Sequence, residues 1–156
     1  MSGIRLADIP DMQRIYELGI ELLDASSYKG IKHDDQKFKT LVAGLMGSKK
    51  GRVLVVVDDN DVPQGFLLGV IDEYFFSQYR FATDLAVYIK QGFERYALRL
   101  YRMFIDWAKT KPKVMDITFA HSSGMGNFER WCRLMEKLGL TKNGSFYTMR
   151  VLLCQA

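Results

Sequence analysis

An abrupt change of hydrophobic period at Gln91-Gly92 limits the folds open to this sequence. Before it, residues 83–90 follow the two-residue period of a β-strand. After it, apolar residues recur at helical spacing over 96–108, and Arg95, Arg99, Arg102 and Asp106 fall on the opposite face. A strand that passes through a glycine turn into an amphipathic helix predicts a helix packed on a sheet. We therefore expect a mixed α/β fold with the chemistry near this turn.

The remaining patterns predict two helices, a β-meander and a second strand-helix unit in one domain spanning 1–156. Asp8 and Asp34 or Asp35 are expected to cap the first two helices, and Asn127 the last one, which Gly139 ends. Apolar residues of this last helix, Met135 among them, share one face. The predicted elements are a short strand at 4–6, helices over 8–23 and 34–47, strands over 52–57, 65–74 and 83–90, a helix over 96–108, a strand over 114–120, a helix over 127–138, and a final strand over 145–153. The predicted order is therefore (β)-α-α-β-β-β-α-β-α-β, an α/β class with a mixed sheet.

Composition excludes several classes of protein. No apolar run approaches the roughly 20 residues that span a bilayer, and the first ten residues lack a secretory signal, so we expect a cytoplasmic protein without membrane contact. Cys132 and Cys154 are too few for a disulfide framework or a zinc site, and the two histidines are far apart, so no metal is predicted. The formal charge of +4 suits an anionic small ligand, and the lysines lack the stacking aromatic residues of a nucleic-acid site.

Residues 130–149, RWCRLMEKLGLTKNGSFYTM, resemble the closing motif of the GNAT superfamily of acyl-CoA-dependent N-acyltransferases. The similarity extends to IRLADIPDMQRIYELG at the start of the chain and to the hairpin VLVVVDDNDVPQGFLLGVI. EYFFSQYRFATDL and GMGNFERW are similar to compact GNAT proteins that are common in bacteriophage genomes. The resemblance implies a twisted sheet whose two central strands splay apart, and acetyl-CoA as cosubstrate.

In this family the pantetheine arm lies beside the strand before the turn, and the pyrophosphate lies on backbone N–H groups of the turn. The cofactor-binding residues implied are Ala86, Val87, Tyr88, Ile89, Gln91, Gly92, Phe93, Glu94, Arg95, Tyr96, Ala97 and Asn127. Glu94 and Tyr96 stand where the family has small residues, and a carboxylate repels phosphates. In an alternative register, a shorter loop turns Glu94 outward and lets Arg95 or Arg99 meet the pyrophosphate.

Catalysis needs a base for the acceptor amine and, in many relatives, a tyrosine that protonates the leaving thiolate. The candidate bases are Glu73, Asp84 and His121; the alternatives are solvated acids and a hydrogen-bonded loop histidine. Met135 stands at the expected tyrosine position and is interpreted as a packing residue. Tyr147 is the candidate substitute acid, with a core aromatic residue as the alternative.

Aromatic residues are concentrated between two predicted strands, at Tyr74, Phe75, Phe76, Tyr79 and Phe81. With Glu73 and Asp84 they could form an acidic, aromatic cleft for a cationic amine, and Tyr28 is a further candidate for substrate binding. The alternative is packing of the sheet edge or a homodimer contact. The sequence thus predicts an N-acetyltransferase that acts on a primary amine of a small molecule or a protein. A GNAT-fold binding or inhibitory protein without catalysis is the second hypothesis.

Overall fold

A five-stranded mixed sheet forms the centre of the molecule, in a computed structural model that describes residues 1–121 and 126–151. Strands follow the order β1-β2-β3-β4-β5; the first four are antiparallel neighbours, and β5 runs parallel to β4. The elements are β1 (Gly3–Leu6), α1 (Met12–Asp24), α2 (Asp35–Gly47), β2 (Gly51–Val57), β3 (Pro63–Glu73), β4 (Arg80–Ile89), α3 (Ala97–Lys109), β5 (Val114–Thr118) and α4 (Phe128–Lys137), with single 3-10 turns at Ile9–Asp11 and Glu94–Tyr96. The α/β class and the order through α4 are confirmed.

Side-chain caps begin the helices where the sequence predicts them. Asp8 and Asp11 form a reciprocal capping box ahead of α1. The Asp34 side chain accepts a hydrogen bond from Lys37 N at 3.0 Å at the start of α2. Asn127 Oδ1 accepts one from Arg130 N at 3.0 Å, and Gly139 after α4 has φ +86°. These caps confirm the predicted boundaries because each satisfies backbone groups that a helix end leaves unpaired.

The sheet buries one hydrophobic cluster on each face. Helices α1 and α2 cover the face that carries Val53, Val55, Val57, Phe66, Leu68, Ala86 and Tyr88. Helices α3 and α4 cover the face that carries Leu54, Val56, Leu67, Ile71, Ala82, Val87 and Ile89. Burial on both faces explains why β2 and β3 read as nearly continuous apolar runs rather than as alternating ones.

A β-bulge interrupts β4. Leu68 pairs with Ala86 and Gly69 pairs with Asp84, so Leu85 is an extra residue with no partner on β3. The bulge changes which residues face each cluster. Ala82 and Val87 contact the same cluster although they are five positions apart, an interval that would place them on opposite faces of a regular strand.

Gly69→Ala is expected to destabilise the protein. An added Cβ would lie 2.0 Å from Cε2 of Phe104, a ring that is fully buried and cannot swing aside. We expect a loss of about 3 kcal/mol in the free energy of unfolding in urea. Gly44→Ala is the control, because Gly44 is an exposed position in α2 with nothing within 4 Å of an added Cβ, and it should stabilise the protein by about 0.5–1 kcal/mol. Equal effects of the two substitutions would contradict this account.

The predicted final strand is wrong over its described part. Residues 145–151 form no strand, and the side chains of Phe146, Tyr147 and Met149 are exposed. Arg150 Nη2 instead donates to Ser27 O at 3.0 Å. Alternating apolar residues make a strand only where a sheet edge pairs with them, which local sequence does not supply. Residues 152 and 153 of that prediction lie outside the described residues.

Two smaller differences concern β4 and α4. β4 begins at Arg80, three residues earlier than predicted, because β3 and β4 pair as far as Glu73 and Arg80. On α4 only Met135 is fully buried, and Phe128 is exposed. Among the described residues, no helix has the length and apolar character needed to cross a bilayer.

Candidate functional site

An opening between β4 and β5 is the main feature of the sheet. The two strands pair only as far as Thr83 and Thr118, while β4 continues to Ile89. Lys90 N donates to Gln64 O on the β3 side. Because backbone groups alternate sides along an antiparallel strand, those of Val87 and Ile89 face the opening. Among the described residues, this part of β4 therefore has backbone groups with no partner strand. This is the arrangement expected for two central strands that splay apart.

Asp84 lies where the opening begins. Its carboxylate accepts hydrogen bonds from its own N–H and from the N–H of Ala120, just beyond β5. Oδ1 is out of contact with solvent and has no hydrogen-bond partner among the described residues. Burial raises the pKa of Asp84 to about 6, and the two hydrogen bonds offset this only in part. Asp84 can therefore gain and lose a proton near neutral pH, as a general base must.

Tyr101 of α3 lies close to Asp84. Its hydroxyl is 3.3 Å from Nε1 of Trp131, which donates to it. Burial, together with the charge of Asp84, raises the pKa of Tyr101, and so the phenol stays neutral. His121 follows Ala120, and its ring centroid lies 5.1 Å from that of Trp131. The structure thus brings two of the candidate bases, Asp84 and His121, to the same wall of the opening.

The turn after β4 is held by its own charged side chains. Gly92 has φ +95°, a conformation that favours glycine, and its N–H donates to Glu94 Oε2 at 2.7 Å. Arg95 Nη1 donates to Gly92 O at 3.1 Å, and the Arg95 guanidinium carbon lies 4.7 Å from the centroid of the Tyr96 ring. The alternative register, with Glu94 turned outward, is not the arrangement found. Glu94 instead occupies a backbone N–H that the family resemblance assigns to a pyrophosphate.

Part of the sheet face that carries α1 and α2 is left uncovered toward β5. We name this surface the open strip, and it consists of Phe81, Thr83 and Leu85 on β4 and Asp116 and Thr118 on β5. Phe81 pairs with Asp116 and Thr83 with Thr118, so these side chains share a face. Leu85, Asp116 and Thr118 are exposed. The Asp84 side chain lies on the other face of the sheet, toward Tyr101 of α3, so the open strip and the Asp84 carboxylate are on opposite sides of β4.

The predicted aromatic residues lie at one end of the open strip. Tyr74 stacks on Phe76 with ring centroids 5.2 Å apart and contacts Phe81 at 5.1 Å. Its hydroxyl donates to Asp116 Oδ2, which raises the pKa of Tyr74. Phe75 is 100% exposed and Tyr79 is also exposed, so residues 74–79 project as a hairpin end rather than lining a cleft.

Glu73 does not join Asp84. It makes an ion pair with Arg80 at 3.3 Å beside the hairpin end. Arg80 is four residues from Asp84 on β4, a separation of about 13 Å along a strand. The structure therefore separates the two carboxylates that the sequence analysis placed in one cleft.

Four other predicted residues lie away from the opening or have a structural role. Tyr147 is 99% exposed, so it is not the core residue offered as the alternative, and its catalytic role stays a prediction. Tyr28 lines an apolar groove between α1 and α2, and the Asn127 side chain caps α4. Met135 is 5% exposed, which confirms it as a packing residue.

Sequence reasoning missed Tyr101 and Asp116. Tyr101 falls on the apolar face of its helix, and the only signal was a hydroxyl among apolar neighbours. Asp116 is the one charged residue of β5, a departure from pattern that could have marked it. The described residues contain no group of three or more His, Cys, Asp or Glu side chains placed to hold a metal ion.

Solved structures resemble this chain along nearly its whole length. Glucosamine-6-phosphate N-acetyltransferase from Arabidopsis thaliana has a TM-score of 0.73 and 13% identity, covering 97% of this chain and 99% of its own. AAC(6')-Iy, in complex with the bisubstrate analog CoA-S-monomethyl-acetylneamine, has a TM-score of 0.70 and 16% identity, covering 96% and 99%. A transcriptional regulator from Bacillus halodurans C-125 has a TM-score of 0.71 and 17% identity, also covering 96% and 99%.

At these identities the likeness shows the fold alone. The chain has the GNAT acyltransferase fold, which confirms the fold that the resemblance in the sequence implies. No family model matches the sequence, and no curated protein matches it significantly.

Proposed function

We propose that this protein is an N-acetyltransferase that uses acetyl-CoA and acts on a primary amine. The observation that carries the proposal is the opening between β4 and β5 with Asp84 where it begins. An exposed strand edge and a carboxyl that titrates near neutral pH supply, within a few residues, a binding surface and a proton acceptor. Many solved structures of the same fold are acetyltransferases, which supports the proposal.

The described residues fit the two ends of acetyl-CoA unequally. The backbone groups of Val87 and Ile89 offer hydrogen bonds to an extended amide chain such as pantetheine. At the turn, Glu94 competes for the N–H of Gly92, and its charge repels a pyrophosphate. We therefore expect the pantetheine contacts to contribute much of the affinity and the turn to weaken it.

Asp84 is the proposed base. As a carboxylate it takes a proton from the acceptor ammonium, directly or through a water molecule, and the neutral amine then attacks. Acetyl-CoA supplies an activated acyl group: the amine nitrogen forms a C–N bond as the C–S bond breaks, and CoA leaves as a thiolate. A thiolate leaves readily near neutral pH, so the burial of Met135 at the expected tyrosine position does not prevent the reaction.

Isothermal titration with acetyl-CoA and CoA, followed by an assay of thiol release with a panel of primary amines, tests the proposed function. We expect saturable binding of both nucleotides and amine-dependent release of CoA. Absence of binding at millimolar acetyl-CoA would refute the proposal. The amine panel should include monoamines, diamines and lysine peptides, so that a narrow specificity is not mistaken for lack of activity.

Glu94→Gln is expected to tighten CoA binding about fivefold. Glutamine keeps an oxygen that can accept from Gly92 N but removes the charge, and an exposed like-charge contact costs about 1 kcal/mol. The measurement is the Kd of CoA at low salt and at 0.5 M salt, and the gain should shrink at high salt because screening weakens the repulsion. Glu136→Gln, an exposed position on α4, is the control and should leave the Kd unchanged. A weaker Kd for Glu94→Gln would show that the carboxylate supports the site.

A second candidate function is a GNAT-fold binding protein without catalysis. The hydrogen bond from Gly92 N to Glu94 favours it, because the anion-binding N–H is already occupied. The fold also occurs in a protein described as a transcriptional regulator. CoA binding without acetyl transfer to any amine in the panel would favour this function over the first.

A further inference from the structure

A small cavity lies beyond the end of β1, where the edge of β2 is left uncovered. β1 ends at Leu6, which pairs with Leu54, whereas β2 begins three residues earlier at Gly51. The C-terminal ends of α2 and α3 flank this edge, and the space between them is a cavity of about 200 Å³. Three of its lining residues are cations: Lys49, Arg52 and Lys111. None of the described residues that line it is acidic.

Arg52 is the cation enclosed most fully. Its side chain lies on the same face of β2 as Leu54 and packs toward α3, where its guanidinium carbon is 5.5 Å from the centroid of the Trp107 ring. The Nε atom is out of contact with solvent and has no hydrogen-bond partner among the described residues. A buried N–H of a charged group is costly without an acceptor, so the described chain leaves this donor unsatisfied.

Lys111 adds a second positive charge at the same ring. Its Nζ atom lies 5.2 Å from the centroid of Trp107. Neither Lys111 nor Arg52 forms an ion pair with a described acidic side chain. One indole ring does not neutralise two cations that repel each other, so the electrostatic field in this cavity favours an anion.

The cavity cations do not serve as hydrogen-bonded caps of the two helices that end here. Ser48 N donates to Leu45 O at the end of α2. At the end of α3, the backbone N–H and the hydroxyl of Thr110 both donate to Trp107 O, at 3.1 and 2.6 Å. These carbonyl groups are therefore satisfied by neighbouring residues. The cations are left to interact with a ligand.

We infer that this cavity binds a small phosphate monoester that carries an apolar group. Phosphate oxygens accept hydrogen bonds from a guanidinium group in good geometry, and a dianion suits three cations better than a carboxylate does. The other walls are apolar and suit an organic substituent; they include Leu6, Leu45, Met46 and Trp107. A cavity of about 200 Å³ accommodates one phosphate group rather than a length of nucleic-acid backbone.

This site is separate from the proposed acetyl-CoA site, so the inference goes beyond the proposed function. Ile89, just before the turn, pairs with Gly65, which pairs with Val56 on β2. Val56 is four residues after Arg52, so the cavity lies about 13 Å along the strands and two strands across from the turn. Binding to it can therefore be measured without acetyl transfer.

The first experiment tests the chemical class of the ligand by isothermal titration at low salt with phenyl phosphate, inorganic phosphate, benzoate and phenol. We expect saturable binding of phenyl phosphate, about tenfold weaker binding of inorganic phosphate and of benzoate, and no measurable binding of phenol. Absence of saturable binding of phenyl phosphate, or equal affinity for benzoate, would overturn the inference. Affinity for a single-stranded oligonucleotide that rises with its length would also overturn it, in favour of a nucleic-acid surface.

The second experiment tests the location of the site with charge-removing variants. We expect Arg52→Gln to weaken binding of phenyl phosphate about tenfold and Lys111→Gln about fivefold. Lys109→Gln is the control, because Lys109 is exposed at the end of α3, lies outside the cavity lining and carries the same charge; it should leave the Kd unchanged. Arg52 packs on Trp107, so circular dichroism must show that Arg52→Gln is folded, and Lys111→Gln decides the test if it is not. Equal affinities of the two lysine variants would overturn the inference, because the attraction would then be general to the charged surface.

Discussion

Asp84→Asn is expected to lower kcat for acetyl transfer by about 10²- to 10⁴-fold while leaving the Kd of CoA unchanged. Asparagine has nearly the same shape and can still accept the hydrogen bond from Ala120 N, but it cannot take a proton. The measurement is steady-state CoA release with the best amine, alongside titration with CoA. Glu73→Gln is the matched control, because Glu73 is ion-paired beside the hairpin end and away from the opening, and it should retain full turnover.

The pH dependence gives an independent check on Asp84. The base is active as the carboxylate, so the wild-type rate should rise with pH through about 6, the raised pKa of this group. The residual activity of Asp84→Asn should lack that inflection. Full turnover of the asparagine variant from pH 5 to 9 would assign the base to another group, of which His121 is nearest along the wall.

The stability of the wild-type protein should fall over the same pH range in which its activity rises. Burial raises the pKa of Asp84 from 3.8 to about 6, so the native state binds more protons than the unfolded state between these values, and stability falls as pH rises through them. The full difference of about two pKa units corresponds to about 3 kcal/mol. Asp84→Asn should therefore be more stable than wild type at pH 8 and equal to it below pH 4, which also shows that lost activity is not lost folding.

Met135→Ala is expected to destabilise the protein by about 2–5 kcal/mol. Met135 is the one α4 side chain fully buried against the cluster under α3, and its removal leaves a cavity that the surrounding rings cannot fill. Urea unfolding gives the free energy of unfolding. Met135→Leu conserves volume and should cost less than about 1.5 kcal/mol.

Arg133→Ala is the control for that experiment. Arg133 is exposed on the same helix, so its truncation should change stability by no more than about 0.5 kcal/mol. Unchanged stability of Met135→Ala together with altered turnover would instead give Met135 a direct part in the reaction.

Local patterns predicted most of the fold because the signals for its elements are local. Helix caps at Asp34 and Asn127, and the change of period at Gln91-Gly92, depend on residues a few positions apart. The strand predicted over 145–153 does not form over 145–151, because a strand also needs the edge of another strand to pair with. That edge is set by the path of the whole chain.

The sequence predicts where in the chain the site lies, but not how its side chains are arranged. Asp84 and Glu73 look equivalent in sequence. Only Asp84 is enclosed in the structure, because it lies where the pairing of β4 with β5 ends after Thr83. The charge of Glu94 was a visible departure from the family pattern, yet its bond to Gly92 N depends on the positive φ of the turn. Burial and backbone direction are properties of the assembled sheet, so neither could be derived from residue type.

Leu85 is an extra residue that can be lost from β4 without disturbing its neighbours. Pairing with β3 is in register on both sides of it, so its deletion would restore a regular ladder. Ala86 and Tyr88 would still face one cluster, and Val87 and Ile89 would still face the other. The local twist that the bulge adds where the opening begins can therefore be lost or regained in one evolutionary step, without exchanging the buried side chains of the sheet.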